Sequence, residues 1–387
     1  MLEKEADKMR THTAFLRTLF GFCAVLLGLT SRSPAERAVQ GVLLTPDAAG
    51  RYVVSEIGQG LIPTAVNIHG QVVGYTRTNP YRAFLWAESS GAQLLGAYGA
   101  DPASIAYGIN DIGQVVGESF PEPYNLGRAF LWNSADGMQD LATLGGSGAS
   151  AHSINNSGAV AGTSRLPNSD RLEPFIWTKS EGMRWLGSLG GQGDYNVARD
   201  LNNSNEVVGT SSAADGSNDA FVWSEKTGML DIGKLSPADA SSCGTGINDL
   251  GQVVGWSRSV TGGLGDRAFI WSAQDGMQDI GSLGGEADAY GINNLGAVVG
   301  ASGTVAIGDN WKVHAFIWQN GAMTDLNALL SSELSYKLTS AVGINDYGQI
   351  VAVSDPYFIP EPATVLLLGL AGLALRRCRA GSVSDRT

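Results

Sequence analysis

The sequence predicts an all-β protein, a β-propeller of four-stranded antiparallel blades, and three observations carry that prediction. First, 52 of the 387 residues are glycine, nearly twice the ~7% share of ordinary proteins, and each interior glycine costs a helix about 1 kcal/mol. Long helices are disfavoured. Second, the triplet Phe-x-Trp, preceded by Ala or Pro, recurs with its tryptophans at Trp86, Trp132, Trp177, Trp223, Trp271 and Trp318, spaced 46, 45, 46, 48 and 47 residues apart. Third, a motif clearest at Ile109-Asn110-Asp111-Ile112-Gly113-Gln114-Val115-Val116-Gly117 returns around Asn67, Asn155, Asn202, Asn248, Asn293 and Asn345. A repeat of this size is one supersecondary unit.

Each part of the unit has a physical reading. Asn-Asn/Asp-x-Gly between two short apolar runs is hairpin chemistry, because these residues tolerate the positive φ of tight turns. Val-Val suits a strand. In Phe-x-Trp the aromatics stand two apart and share one strand face, from which they can pack on a neighbouring sheet. Gly-Met at 137, 182, 228 and 276 turns the chain into a fourth run such as Asp140-Leu141-Ala142-Thr143-Leu144. Four short strands per unit match a propeller blade, whereas a β-helix coil would need a much shorter period.

In chain order, counting from Tyr52-Val53-Val54, six complete blades end at Trp318. A seventh follows at 322–329, 341–345 and 349–353 without its Phe-x-Trp strand. Val42-Leu43-Leu44-Thr45, at the other end of the array, is expected to supply the missing outer strand and close a seven-bladed ring. Six blades remain the alternative.

The two ends read as addresses. Residues 18–29, TLFGFCAVLLGL, follow Arg10 and Arg17 and precede small residues around Ser31, Ser33 and Ala35. That is the layout of a secretory signal peptide over 1–38, with Met9 as an alternative start that removes the acidic Glu3, Glu5 and Asp7. At the other end, over 359–387, Pro360-Glu361-Pro362 leads into the apolar run 363–375 and then Arg376, Arg377 and Arg379. Thirteen apolar residues are short for a transmembrane helix, which takes ~20. The arginines would stay on the cytoplasmic side. A plain membrane anchor is the alternative reading of this end.

The three-part C-terminal pattern resembles the PEP-CTERM sorting signal. That resemblance implies recognition and processing by an exosortase after passage through the export machinery, a transient hold in the cytoplasmic membrane, and a final place at the cell envelope, surface or extracellular matrix. The tail 380–387 after the arginines departs from the pattern. The repeat itself, over 52–353, resembles the HAF family of bacterial extracellular repeats, named for a triplet that appears here as His314-Ala315-Phe316. Other copies carry Arg82, Arg128, Glu173, Asp219 and Arg267 in place of the histidine. The family implies export and a β-rich repeat domain spanning 39–358, and offers no established chemistry.

Charge and motifs narrow the function classes. Between the two basic ends lie 15 basic and 32 acidic residues, a net −17, unsuited to neutralising nucleic-acid phosphates. Of the three cysteines only Cys243 lies in the repeat body, so no disulfide can form within it, and Cys243 reads as a small buried residue. His69, His152 and His314 fall at different points of the unit and read as solvated turn or strand histidines; no metal-ligand spacing, nucleophile elbow, phosphate loop or dinucleotide fingerprint is present. No catalytic residue, metal or cofactor is therefore assigned. Where the repeat breaks, Trp185, Trp256 and Trp311 are candidate ligand-binding aromatics. The expected function is a non-enzymatic binding or structural module, in adhesion or in association with exopolysaccharide, surface proteins or biofilm. The alternative is an extracellular hydrolase or lyase acting on polysaccharide, which two or three carboxylates and a histidine converging at one channel mouth would favour.

Overall fold

The computed structural model describes residues 39–120, 126–169, 171–259, 265–304 and 313–354; both terminal address segments and Trp311 lie outside them. Among the described residues no helix is long and apolar enough to cross a membrane. The described residues, from Val39 to Ser354, belong to one compact unit. It begins with β1 (Gln40–Pro46) and β2 (Tyr52–Gln59), then builds a first blade from β3 (Leu61–Val66), β4 (Val72–Thr76), β5 (Ala83–Ala87) and β6 (Gly91–Gly96). Five blades repeat that pattern: β7 to β10 between Ala103 and Asp140, β11 to β14 between Ala149 and Trp185, β15 to β18 between Val197 and Gly233, β19 to β22 between Ser241 and Asp279, and β23 to β26 between Gly284 and Asp325. The last strands are β27 (Ser340–Ile344) and β28 (Ile350–Val353).

The seventh sheet has the order β2-β1-β28-β27, so two strands from each end of the described chain make one blade. This confirms seven blades and corrects the expected strand frame. Residues 52–54 belong to the outermost strand of the closing blade, and Val42–Thr45 lies one strand further in, paired to both β2 and β28. The run that begins at Ala322 completes the sixth blade by pairing with Phe316–Gln319. A frame counted from Tyr52 misses this because hydrophobicity alone does not say which neighbour a strand will choose.

The repeat motif explains how each blade packs. Phe84, Phe130, Phe175, Phe221, Phe269 and Phe316 are all 0% exposed, and each such burial is worth roughly 3 kcal/mol. Opposite every one stands the glycine of Val-Val-Gly, or of Val160-Ala161-Gly162 in the third blade, as in Gly117 against Phe130. A Cβ there would lie 2.0 Å from the Ile105 carbonyl oxygen and 2.8 Å from the Phe130 ring. Only glycine fits. In the closing blade β1 sets Gly41-Val42-Leu43-Leu44 in the Ala-Phe-x-Trp register, and Val42 faces Ala352 instead of glycine. The smaller Val42 leaves the space that the Ala352 methyl occupies, and both are fully buried. Cys243 is likewise fully buried.

Candidate functional site

The first strand of each blade lines the central channel, and its ring asparagine closes the circle. Asn67 Nδ2 donates to the Asn110 carbonyl at 3.1 Å, and the same bond runs from 110 to 155, 155 to 202, 202 to 248, 248 to 293, 293 to 345, and from Asn345 back to Asn67 at 2.8 Å. Each ring asparagine also caps its own hairpin; the Asn67 Oδ1 accepts from the N–H groups of His69 and Gln71. The turn then needs a positive φ three residues on, supplied by glycine at six hairpins and by Asn205 at φ 62° in the remaining one. These seven buried amides read as a hairpin motif in the sequence. In space they are a continuous inter-blade belt.

A second series lies one residue outward. The Asp111 Oδ1 accepts from Ile68 N–H, and Asn156, Asn203, Asp249, Asn294 and Asp346 each accept from the blade before at 2.8–3.0 Å. Ile68 has no acceptor, so the series ends there. Hydrogen bonds from Asn203 and Asn294 hold the Asp249 carboxyl below its ordinary range against the opposing effect of partial burial. Three carboxylates thus stand around one mouth of the channel, each bonded to a neighbouring amide.

Below the mouth the wall ceases to repeat. A β-bulge three residues before each ring asparagine shifts the register, and the extra residue borders a cavity of about 330 Å³. Those residues are Thr64, Tyr107, His152, Arg199, Thr245, Tyr290 and Val342. Thr64 and Thr245 donate to the next blade's carbonyls, Ala106 and Ala289, at 2.9 and 2.7 Å. His152 Nδ1 makes the equivalent contact to the Ala198 carbonyl at 2.5 Å. A carbonyl can only accept, so Nδ1 carries the proton and Nε2 is left as an acceptor.

The solvated histidine expected from sequence is therefore corrected at this position. His152 is buried, and burial, helped by the charge of nearby Arg199, lowers its pKa to about 4. It is neutral at physiological pH. Its ring meets Tyr107 edge to face at 5.7 Å, and burial holds the Tyr107 phenol well above its ordinary pKa. Arg199 is also buried and bonds the Tyr195 hydroxyl at 3.2 Å. Asp200 accepts from Ser153 Oγ at 2.6 Å and from Leu201 and Ile247 N–H, while burial raises its pKa. One side of the channel, over the second to fourth blades, holds a guanidinium, a carboxyl, an imidazole and a phenol. The opposite side offers Val342, Gly343 and Ala65.

Trp185 and Trp256, two of the three tryptophans expected to bind ligand, lie elsewhere; Trp311 is outside the described residues. Trp185 is on the outermost strand of the third blade, and Trp256 is on the second strand of the fifth, so a whole blade separates them. Trp185 has a structural partner. In four blades the residue before Ala-Phe pairs with the outer edge of its own blade: Arg128 with Asp140 at 3.6 Å, Arg267 with Asp279 at 3.5 Å, Asp219 with Lys234 at 3.1 Å and His314 with Asp325 at 2.7 Å. In the third blade that residue is Glu173, which an aspartate would repel, and the Trp185 indole N–H donates to it at 3.1 Å. The variable position of the HAF-like triplet thus changes together with its partner. Trp256 is half-buried with the Arg258 guanidinium 4.9 Å from its ring centroid.

Sequence reasoning missed the channel residues because the repeat motif ends on the asparagine and the bulge lies just before it. A scan of that offset for residues that refuse to repeat would have found Tyr107, His152, Arg199 and Tyr290.

Seven four-stranded blades around one channel, sealed by strands from both ends of the described chain, define a seven-bladed β-propeller. Solved structures to which it is similar include TolB from Acinetobacter baumannii (13% identity, 68% of each chain covered, TM-score 0.44). They also include a streptogramin B lyase (11% identity, 81% of this chain and 97% of that one, TM-score 0.49) and the β-propeller domain of the trilobed protease from Pyrococcus furiosus (10%, 74% and 90%, TM-score 0.48). No protein-family profile matches the chain, and no curated protein does.

Proposed function

We propose that this chain is an exported propeller that acts at the cell surface or in the extracellular matrix as a non-enzymatic binding module, holding a sugar unit of an extracellular polysaccharide in its central channel. The observation that carries the reading is the channel wall, where the residues that break the repeat are gathered around one cavity. Its volume of about 330 Å³ sits at the small end of ligand pockets, roughly 300–1,000 Å³, and suits a ligand of monosaccharide size. Arg199, Asp200 and the bare Nε2 of His152 offer donors and acceptors to hydroxyls, and the Tyr107 ring offers an apolar face. Export rests on the signal-peptide layout of 1–38 and on the PEP-CTERM-like Pro360, Glu361, Pro362, Arg376 and Arg377, whose partners would be the export machinery and an exosortase-like enzyme.

A second reading, hydrolysis or elimination on the same polymer, is favoured by one arrangement: Asp111, Asp249 and Asp346 at one mouth with His152 deeper in the same cavity. Against it, each rim carboxylate is already committed to neighbouring amides. Binding of the purified protein to a glycan array, with a turnover assay on every glycan bound, tests both. Binding that Arg199→Ala and Asp200→Asn each weaken at least tenfold, without product release, supports the module. Product release abolished by His152→Gln supports the enzyme, and binding indifferent to all three variants sinks the channel as the site.

A further inference from the structure

The hairpin tips around the channel mouth carry side chains that the fold does not ask for. Two residues after the ring asparagine, four of the seven tips bear Ile112, Leu250, Leu295 and Tyr347, which are 70%, 71%, 79% and 71% exposed. Among the described residues no other large apolar side chain is as exposed; the next is Leu94 at 56%. The turn itself needs only its asparagine cap and the positive-φ residue, and two other tips manage with Ser157 and Ser204. Isolated exposed apolar residues need no explanation, but a contiguous set marks a contact surface.

Three of this set form an unbroken run, and the fourth lies on the same side of the mouth. Leu250, Leu295 and Tyr347 stand on successive blades, the first blade follows with Ile68 and His69, and Ile112 comes next. The result is a crescent over five neighbouring blades with apolar tips on four of them and His69 on the first, facing the two serine tips across the mouth. Just inside it lie the rim carboxylates of Asp111, Asp249 and Asp346, on a body that carries a net −17 charge. The described chain starts and finishes on the opposite face, where Ser354 N–H donates to the Gln40 carbonyl and Gly60 N–H to that of Val39. A second copy placed mouth to mouth would oppose carboxylate to carboxylate.

We propose that the crescent is the docking surface for a protein partner that presents basic side chains among apolar ones, its apolar residues packing on Leu250, Leu295, Tyr347 and Ile112 while a lysine or arginine reaches the acidic mouth. Charge complementarity chooses the sign of the partner and sets its on-rate. The apolar tips supply the contact area that exposed ion pairs alone do not convert into affinity. Docking here covers the channel mouth, so the partner and a channel ligand exclude one another.

The test titrates the full chain with an amphipathic peptide of alternating leucine and lysine pairs, by calorimetry at low and high salt. Binding should weaken at least tenfold in Leu250→Ser/Leu295→Ser/Tyr347→Ser, several-fold in Asp249→Asn, and not at all in Leu94→Ser/Leu230→Ser, which removes apolar groups exposed on outer strands. An unchanged melting temperature certifies the triple variant as folded. The proposal is overturned if the triple variant binds like the parent, or if a peptide with glutamate for lysine binds equally well. It is also overturned if the triple change abolishes binding to phosphatidylcholine vesicles, which makes the crescent a membrane contact, or abolishes a dimer in sedimentation velocity, which makes it a self-contact. Glycan binding should survive the triple substitution, so failure here and failure of the channel reading are separable.

Discussion

The blade interiors and the channel wall are built on opposite rules. Between the sheets every blade gives the same answer: six phenylalanines at 0% exposure over six glycines, with Val42 over Ala352 in the seventh, and an asparagine belt without a break. Along the channel, at the bulge, threonine, tyrosine, histidine, arginine and valine follow one another. Identity is what closure demands, since each blade must present its neighbour with the surface that it receives. Difference is tolerated where a side chain meets space instead of the next sheet, or where its partner within the blade changes with it; the proposed ligand site falls in the first of these places.

The comparison breaks most visibly at the seam. Removing residues 39–47 takes β1 from between β2 and β28 and leaves the last blade with two strands, so a melting scan should lose its single cooperative transition or fall far in temperature. An unchanged melt contradicts closure by the N-terminal strands. Within an intact ring, Phe221→Ala should cost about 3–5 kcal/mol in denaturant unfolding, because the cavity is walled by Gly209 and its sheet and cannot collapse.

A pH-dependent effect of similar size should appear at Glu118, which burial pushes up to about 7 although Gly127 N–H donates to it at 2.5 Å. A carboxyl with a raised folded pKa stabilises least when it must ionise. Stability is retained below the ordinary value of 4.5 and lost as pH rises through 7. Glu118→Gln should therefore gain up to about 3 kcal/mol at pH 8 and nothing near pH 4. His152 runs the other way: its contribution is complete above the ordinary 6.5 and is lost as pH falls toward about 4.

Smaller still, Asn155→Ala should cost about 1–3 kcal/mol, since the amide bonds the Asn202 carbonyl and its oxygen caps the hairpin. At the bottom of the scale, Leu295→Ser at an exposed tip should stay within about 0.5 kcal/mol. A large loss there would mean that the tip is part of the fold after all.

Much of the architecture was legible because the features that close a ring are repeated in the chain and can be counted. Phe-x-Trp and the asparagine hairpins gave the blade and its length. The seam was harder, since Val42 and Leu44 do the burying of a phenylalanine and a tryptophan without resembling them, and strand pairing across about 300 residues leaves no local mark. The site was least legible. Tryptophans drew attention by rarity, yet Trp185 answers to Glu173 on the adjacent strand, whereas Arg199 and His152 reach the channel through a bulge that strict strand alternation does not foresee.

The central claim is that recognition resides in the unrepeated channel wall. Calorimetric titration of the protein with the glycan that an array selects, repeated on Arg199→Ala and on Trp185→Ala/Trp256→Ala, tests it most directly. At least a tenfold loss of affinity in the first variant and none in the second is the predicted result; the reverse pattern would contradict it and return the site to the tryptophans.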